Sequence, residues 1–114
     1  MADQSSQRRR FPRYRAGLEA IIYLGSKTTQ TRIVEISRGG CLVFPPLLPQ
    51  PSPELKLSFR LGEDVPPVNC KGEIVYSISD KGTGIAFTEI SLYNQDRITE
   101  FFEKQLAAEK APSS

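Results

Sequence analysis

Leu55-Lys56-Leu57-Ser58-Phe59-Arg60-Leu61 puts an apolar residue at every second position and a polar one between each pair. Successive side chains of an extended backbone point to opposite faces, so this stretch reads as a strand with one face buried and one in water. The same reading extends outward in both directions. Upstream, Leu18 to Leu24 is apolar and β-rich and is closed by Gly25-Ser26. Thr28 to Ser37 is rich in β-branched residues. Strict alternation there places Val34 and Ile36 on one face and Ile33, Glu35 and Ser37 on the other. Arg38-Gly39-Gly40 is a turn, Cys41 to Phe44 a short strand stopped by Pro45-Pro46, and a loop carrying Pro49, Pro51 and Pro53 follows. Downstream, Gly62 to Pro67 is a loop and Val68 to Ile78 a long strand, with Gly72 marking a bulge or bend. Ser79-Asp80-Lys81-Gly82 turns the chain and Gly84 to Phe87 brings it back. Six short strands with turn signals between them predict an all-β fold, a small six-stranded antiparallel β-barrel, because closure removes exposed sheet edges.

The pattern changes at Ser91. Ser91 or Asn94 can cap a helix, and Ile98, Phe101, Phe102 and Leu106 then recur at helical spacing. A C-terminal α-helix is expected over 91–108, its apolar stripe covering the sheet rather than gripping a partner. The 114 residues make one domain. The organisation expected is a disordered tail over 1–7, a domain over 8–108 and a tail over 109–114. Within the domain, 8–17 is an arginine-rich arm, 18–90 the barrel and 91–108 the helix.

Composition excludes several functions. No apolar run approaches the ~18 residues of a membrane span. Met1 to Gln7 lacks the apolar core of a signal peptide, so the expected location is the cytoplasm. The chain has no histidine, and Cys41 and Cys70 form no CxxC, so no metal site is expected. The two thiols read as small buried side chains. With no P-loop, no base beside either cysteine and no paired carboxylates, there is no candidate catalytic residue, and an enzyme is not expected.

Charge, by contrast, is concentrated. Five of the nine arginines lie in Arg8-Arg9-Arg10-Phe11-Pro12-Arg13-Tyr14-Arg15. That stretch carries +5 while the whole chain is +2, so the remainder sums to −3. Pro12 disfavours helix, and crowded like charges favour a mobile arm until an anion neutralises them. Arginine presents a planar fork that matches phosphate oxygens in pairs and stacks on rings. The arm therefore predicts an anionic partner carrying phosphate and a planar base. Arg38 reads as a solvated turn residue, Glu35 alternatively as a surface partner of Arg32 or Arg38, and Phe11 and Tyr14 alternatively as residues packing the arm on the barrel.

These residues together resemble the PilZ domain, a bacterial receptor for the second messenger cyclic di-GMP. That family carries an RRxxxR stretch before its first strand, matched by Arg8-Arg9-Arg10-Phe11-Pro12-Arg13 with Arg9 and Arg13 as the RxxxR pair. Its (D/N)xSxxG signature is matched at Ser37 and Gly40 of Glu35-Ile36-Ser37-Arg38-Gly39-Gly40, where Glu35 replaces Asp or Asn. Gly84-Ile85-Ala86-Phe87 looks like the family's later Gly-x-x-Phe element.

The resemblance implies a receptor that needs no cofactor. Its ligand would be cyclic di-GMP, held by Arg8, Arg9, Arg13, Glu35, Ser37, Gly40 and Gly84, and a downstream protein partner would receive the signal through a shape change. The chemistry agrees. An extended i to i+4 spacing spans at most ~14 Å, within which two arginines reach different parts of one dinucleotide. A carboxylate at 35 accepts from the N1–H and N2–H₂ edge of guanine, and a hydroxyl at 37 donates or accepts. Two other readings stand beside it. One is a PilZ-like adaptor in pilus or motility systems that binds no nucleotide. The other is a barrel binding single-stranded nucleic acid through Tyr23, Phe44, Phe59, Tyr76 and Phe87, most of which read as core. Nucleic acid is the less expected partner.

Overall fold

The computed structural model describes residues 11–47 and 54–110. Six strands, β1 (Tyr14–Leu24), β2 (Lys27–Ile36), β3 (Gly40–Phe44), β4 (Glu54–Phe59), β5 (Val68–Ile78) and β6 (Gly82–Glu89), precede one helix, α1 (Leu92–Lys110). The strands close into a barrel in the order β1-β2-β3-β6-β5-β4, every neighbouring pair antiparallel, with β4 returning to β1. The alternation that began at Leu55 is realised: Leu55, Leu57 and Phe59 are buried while Lys56 is exposed. They join Ile22, Ile33, Ile36, Val43, Val68 and Ile85 in one core. The buried hydroxyl of Thr83 accepts from the Leu47 amide at 2.8 Å and lies 2.8 Å from Ser77 Oγ, so its burial leaves no orphan polar group.

β1 begins at Tyr14, four residues before the expected Leu18. The pairing explains why the sequence hides this. Tyr14 lies opposite Ile36 and Arg15 opposite Glu35, and the register then shifts before Leu18. The irregularity at Ala16-Gly17 interrupts the alternation, so the first turn of strand looks like arm. β2 departs from strict alternation in the same way. Its register against β3 shifts between Ile33 and Glu35, and both Ile33 and Ile36 point inward. Val34 is thus bulged, and a bulge exchanges the faces of everything after it. The register against β6 shifts between Lys71 and Gly72, with the extra residue, Thr88, on β6 and not at the glycine. A side chain there would press on Ile85 and the Ala86 carbonyl, so only glycine lets β5 and β6 approach.

α1 caps one end of the barrel. Ser91 Oγ accepts the Asn94 amide at 3.0 Å, the N-cap bond that fixes where the helix starts. Ile98 and Phe102 are buried, and Tyr14 stacks on Phe102 with ring centroids 5.2 Å apart. The Tyr14 hydroxyl donates to Glu103 Oε2 at 2.8 Å. Burial, with the Glu103 carboxylate beside it, raises the Tyr14 pKa and keeps the phenol protonated as that donor.

Candidate ligand-binding site

A concave site of about 680 Å³ opens on the outside of the barrel where the start of β1, the β2–β3 turn and the middle of β5 and β6 meet. Pockets of this size hold drug-sized ligands. Arg13 comes from the approach to β1, Glu35 from the last turn of β2, Ser37, Gly39 and Gly40 from the turn, and Tyr76 and Gly84 from facing positions on β5 and β6. Strand pairing assembles them: Arg15 opposite Glu35 brings the arm to the end of β2, and Gly40 opposite Ala86 brings the turn to β6.

Arg13 Nη1 donates to Glu35 Oε1 at 3.3 Å, the two side chains 73% and 38% exposed. Glu35 therefore pairs with Arg13, not with Arg32 or Arg38. An ion pair this open to water contributes under ~1 kcal/mol, so an incoming anion displaces it at small cost. Ser37 Oγ accepts the Gly39 amide at 3.1 Å, and the Ser37 amide donates to the Gly40 carbonyl at 2.9 Å. These two bonds fold the turn tightly. A side chain at Gly40 would fall on the Ile85 carbonyl oxygen, so the turn lies flat on β6 only with glycine there. The Phe11 ring lies against Gly39, which ties the approach segment to the same turn.

Of the seven residues expected at the site, five (Arg13, Glu35, Ser37, Gly40 and Gly84) line this one concavity. Arg8 and Arg9 lie outside the described residues. Gly84 has a structural part. Tyr76 faces it across the β5–β6 pair and lays its ring over the glycine, where any Cβ would intrude. Most of the five strand aromatics are expected in the core, yet Tyr76 is 45% exposed. Phe44 and Tyr23 are likewise exposed, whereas Phe59 is buried and Phe87 packs partly against the core. The signal for Tyr76 lay in the pairing: an aromatic opposite a glycine is how a sheet supports a ring on its outer face. Arg38 also differs from expectation. It is largely covered by α1, bonded to Thr99 and paired with Asp96, because the turn directs it away from the groove and onto the helix.

The PilZ domain family model matches residues 7–104. This chain belongs to the PilZ family. No curated protein matches the sequence at a significant level. Three solved structures share the fold. The inhibitor of motility MotI/DgrA of Bacillus subtilis is 20% identical with a TM-score of 0.72, covering 92% of this chain and 54% of its own. The PilZ domain of YcgR from Escherichia coli, with c-di-GMP, is 17% identical with a TM-score of 0.66, covering 92% of this chain and all of its own. The K. pneumonia MrkH–c-di-GMP complex is 19% identical with a TM-score of 0.67, covering 91% of this chain and 54% of its own. This PilZ chain thus spans about half the length of MotI/DgrA and MrkH, and at these identities the likeness is one of fold. No helix among the described residues is long and apolar enough to cross a membrane, and they contain no cluster of three metal-ligating side chains.

Proposed function

We propose that this PilZ domain is a bacterial receptor for cyclic di-GMP. The observation that carries the reading is the convergence of Arg13, Glu35, Ser37 and the Tyr76 ring on one groove of dinucleotide-accommodating size. In it, Arg13 leaves Glu35 for a phosphate, with Arg8 and Arg9 supplying further forks from the arm. Glu35, freed, accepts from the Watson–Crick edge of a guanine, and Ser37 adds a hydroxyl beside it. Tyr76, held up by Gly84, offers a flat face on which a base stacks. The doubly negative ligand gathers the arginines of the arm onto the groove, and this change of shape presents an altered surface to a downstream protein. The domain acts as a receptor rather than an enzyme.

Calorimetric titration with cyclic di-GMP tests this. Binding heat is expected, and Arg13→Ala should weaken affinity roughly 10- to 100-fold, consistent with about 1.5–3 kcal/mol for a hydrogen bond to a charged group. Absence of heat, or an affinity indifferent to Arg13→Ala, rejects the reading. The Arg13–Glu35 pair, which satisfies the arginine without ligand, would then favour the adaptor reading. The exposed aromatics lend little to single-stranded nucleic acid binding, since Tyr76 lines this groove while Tyr23 lines another, on the outer side of β4 and β5.

A further inference from the structure

The β2–β3 turn has two sides. Ser37, Gly39 and Gly40 face the groove, and Arg38, between them, points away from it. The Arg38 side chain is 22% exposed. Its Nη1 donates to Thr99 Oγ1 at 2.9 Å and to the Gln95 carbonyl at 3.3 Å, and it pairs with Asp96 Oδ1 at 3.0 Å. Gln95 Nε2 returns a bond to the Arg38 carbonyl at 3.0 Å. One turn residue is therefore gripped by α1 through its backbone and its side chain at once.

The other wall of the groove is tied to the same helix. Arg13 immediately precedes Tyr14, which stacks on Phe102 and donates to Glu103. Gln95, Thr99, Phe102 and Glu103 follow helical spacing, so both walls are anchored to one stripe of α1. A helix is stiff along its length. A ligand that draws the Arg13 segment toward the Ser37 turn displaces two anchors fixed to one rod, and the rod must tighten or shift.

We propose that Arg38 is a positioning residue that couples occupancy of the groove to the docking of α1, making the C-terminal helix the element that reports the bound state. This rests on the cyclic di-GMP reading of the groove. Arginine suits the position because its long side chain carries one guanidinium nitrogen, Nη1, to a carboxylate, a hydroxyl and a carbonyl of α1 together, and its charge is permanent. The coupling is a free energy shared between two sites, typically worth about 5- to 150-fold in an equilibrium constant.

The experiment is hydrogen exchange on the full chain, with and without saturating cyclic di-GMP, run beside calorimetry. Amides of residues 92–104 should exchange about fivefold or more slower when ligand is bound. Arg38→Met should still bind, while the helix no longer responds, and Arg38→Lys should restore part of the response. A helix indifferent to bound ligand, or one that responds equally in Arg38→Met, overturns the proposal. Should Arg38→Met not fold, the double variant Thr99→Val, Asp96→Asn leaves Arg38 in place and carries the same expectation. If cyclic di-GMP gives no binding heat, the functional reading fails by itself, and the clamp is judged on the free protein. Thr99→Val should then shift the backbone amide resonances of Ser37 and Gly39 and speed their exchange, and unchanged resonances overturn it.

Discussion

Tyr76 owes its place at the groove to the absence of a side chain across the sheet. Its ring occupies the volume a Cβ at position 84 would need. Gly84→Ala therefore forces the ring away or the strands apart. Overpacking of this kind costs about 1–3 kcal/mol, and the displaced ring no longer offers its face. The expected outcome is a lowered urea midpoint together with weaker cyclic di-GMP binding, whereas Tyr76→Ala should weaken binding with a smaller stability change. Equal affinity of Gly84→Ala and the parent would remove Tyr76 from the site. Glu35 is a different kind of residue. Its ion pair with Arg13 is open to water, so it contributes little to the fold.

Among the elements, α1 closes one end of the barrel. Ile98 and Phe102 fill the barrel end, and Phe102 also receives the Tyr14 ring. Phe102→Ala removes both contacts and leaves a cavity, a change worth about 3–5 kcal/mol in a core. Against a typical total of about 5–15 kcal/mol for a domain, the melting temperature should fall by many degrees. A near-normal melting temperature in a thermal denaturation scan would mean that the helix is not needed to close the barrel. The two irregular strands make a related point. The bulge between Ile33 and Glu35 keeps Ile33 and Ile36 inside together, and it leaves Glu35 and Ser37 on the groove side. No propensity scale anticipates a bulge, because the extra residue is specified by the partner strand.

For the molecule as a whole, closure into a barrel buries both cysteines. Burial drives the Cys41 thiol well above its ordinary range, with Cys70 nearby adding to the effect, and pushes Cys70 up to about 12. Because both folded pKa values exceed the unfolded one, the neutral thiols stabilise the fold fully below about pH 9, and that contribution is lost as the pH rises further. Stability measured by urea unfolding should therefore decline from pH 9 upward, and a Cys41→Ala, Cys70→Ala protein should decline less steeply across the same interval. Identical slopes would show that other groups, Tyr14 among them, govern the alkaline limb. In the native state at pH 8 both thiols should react with an aromatic disulfide reagent only as fast as the protein opens.

The alternation from Leu55 to Leu61 and its repeats, the turn glycines and the helical spacing after Ser91 were sufficient to determine strand number, barrel class and terminal helix, and the arginine cluster carries the expectation of an anionic ligand. Those properties follow from local periodicity and from charge, both of which are written along the chain. The early start of β1, the phase change at Val34, the outward ring of Tyr76 and the docking of Arg38 on α1 were decided by tertiary structure alone. Each depends on which residue stands opposite on another strand or helix, and contacts between segments tens of residues apart leave no local pattern to read.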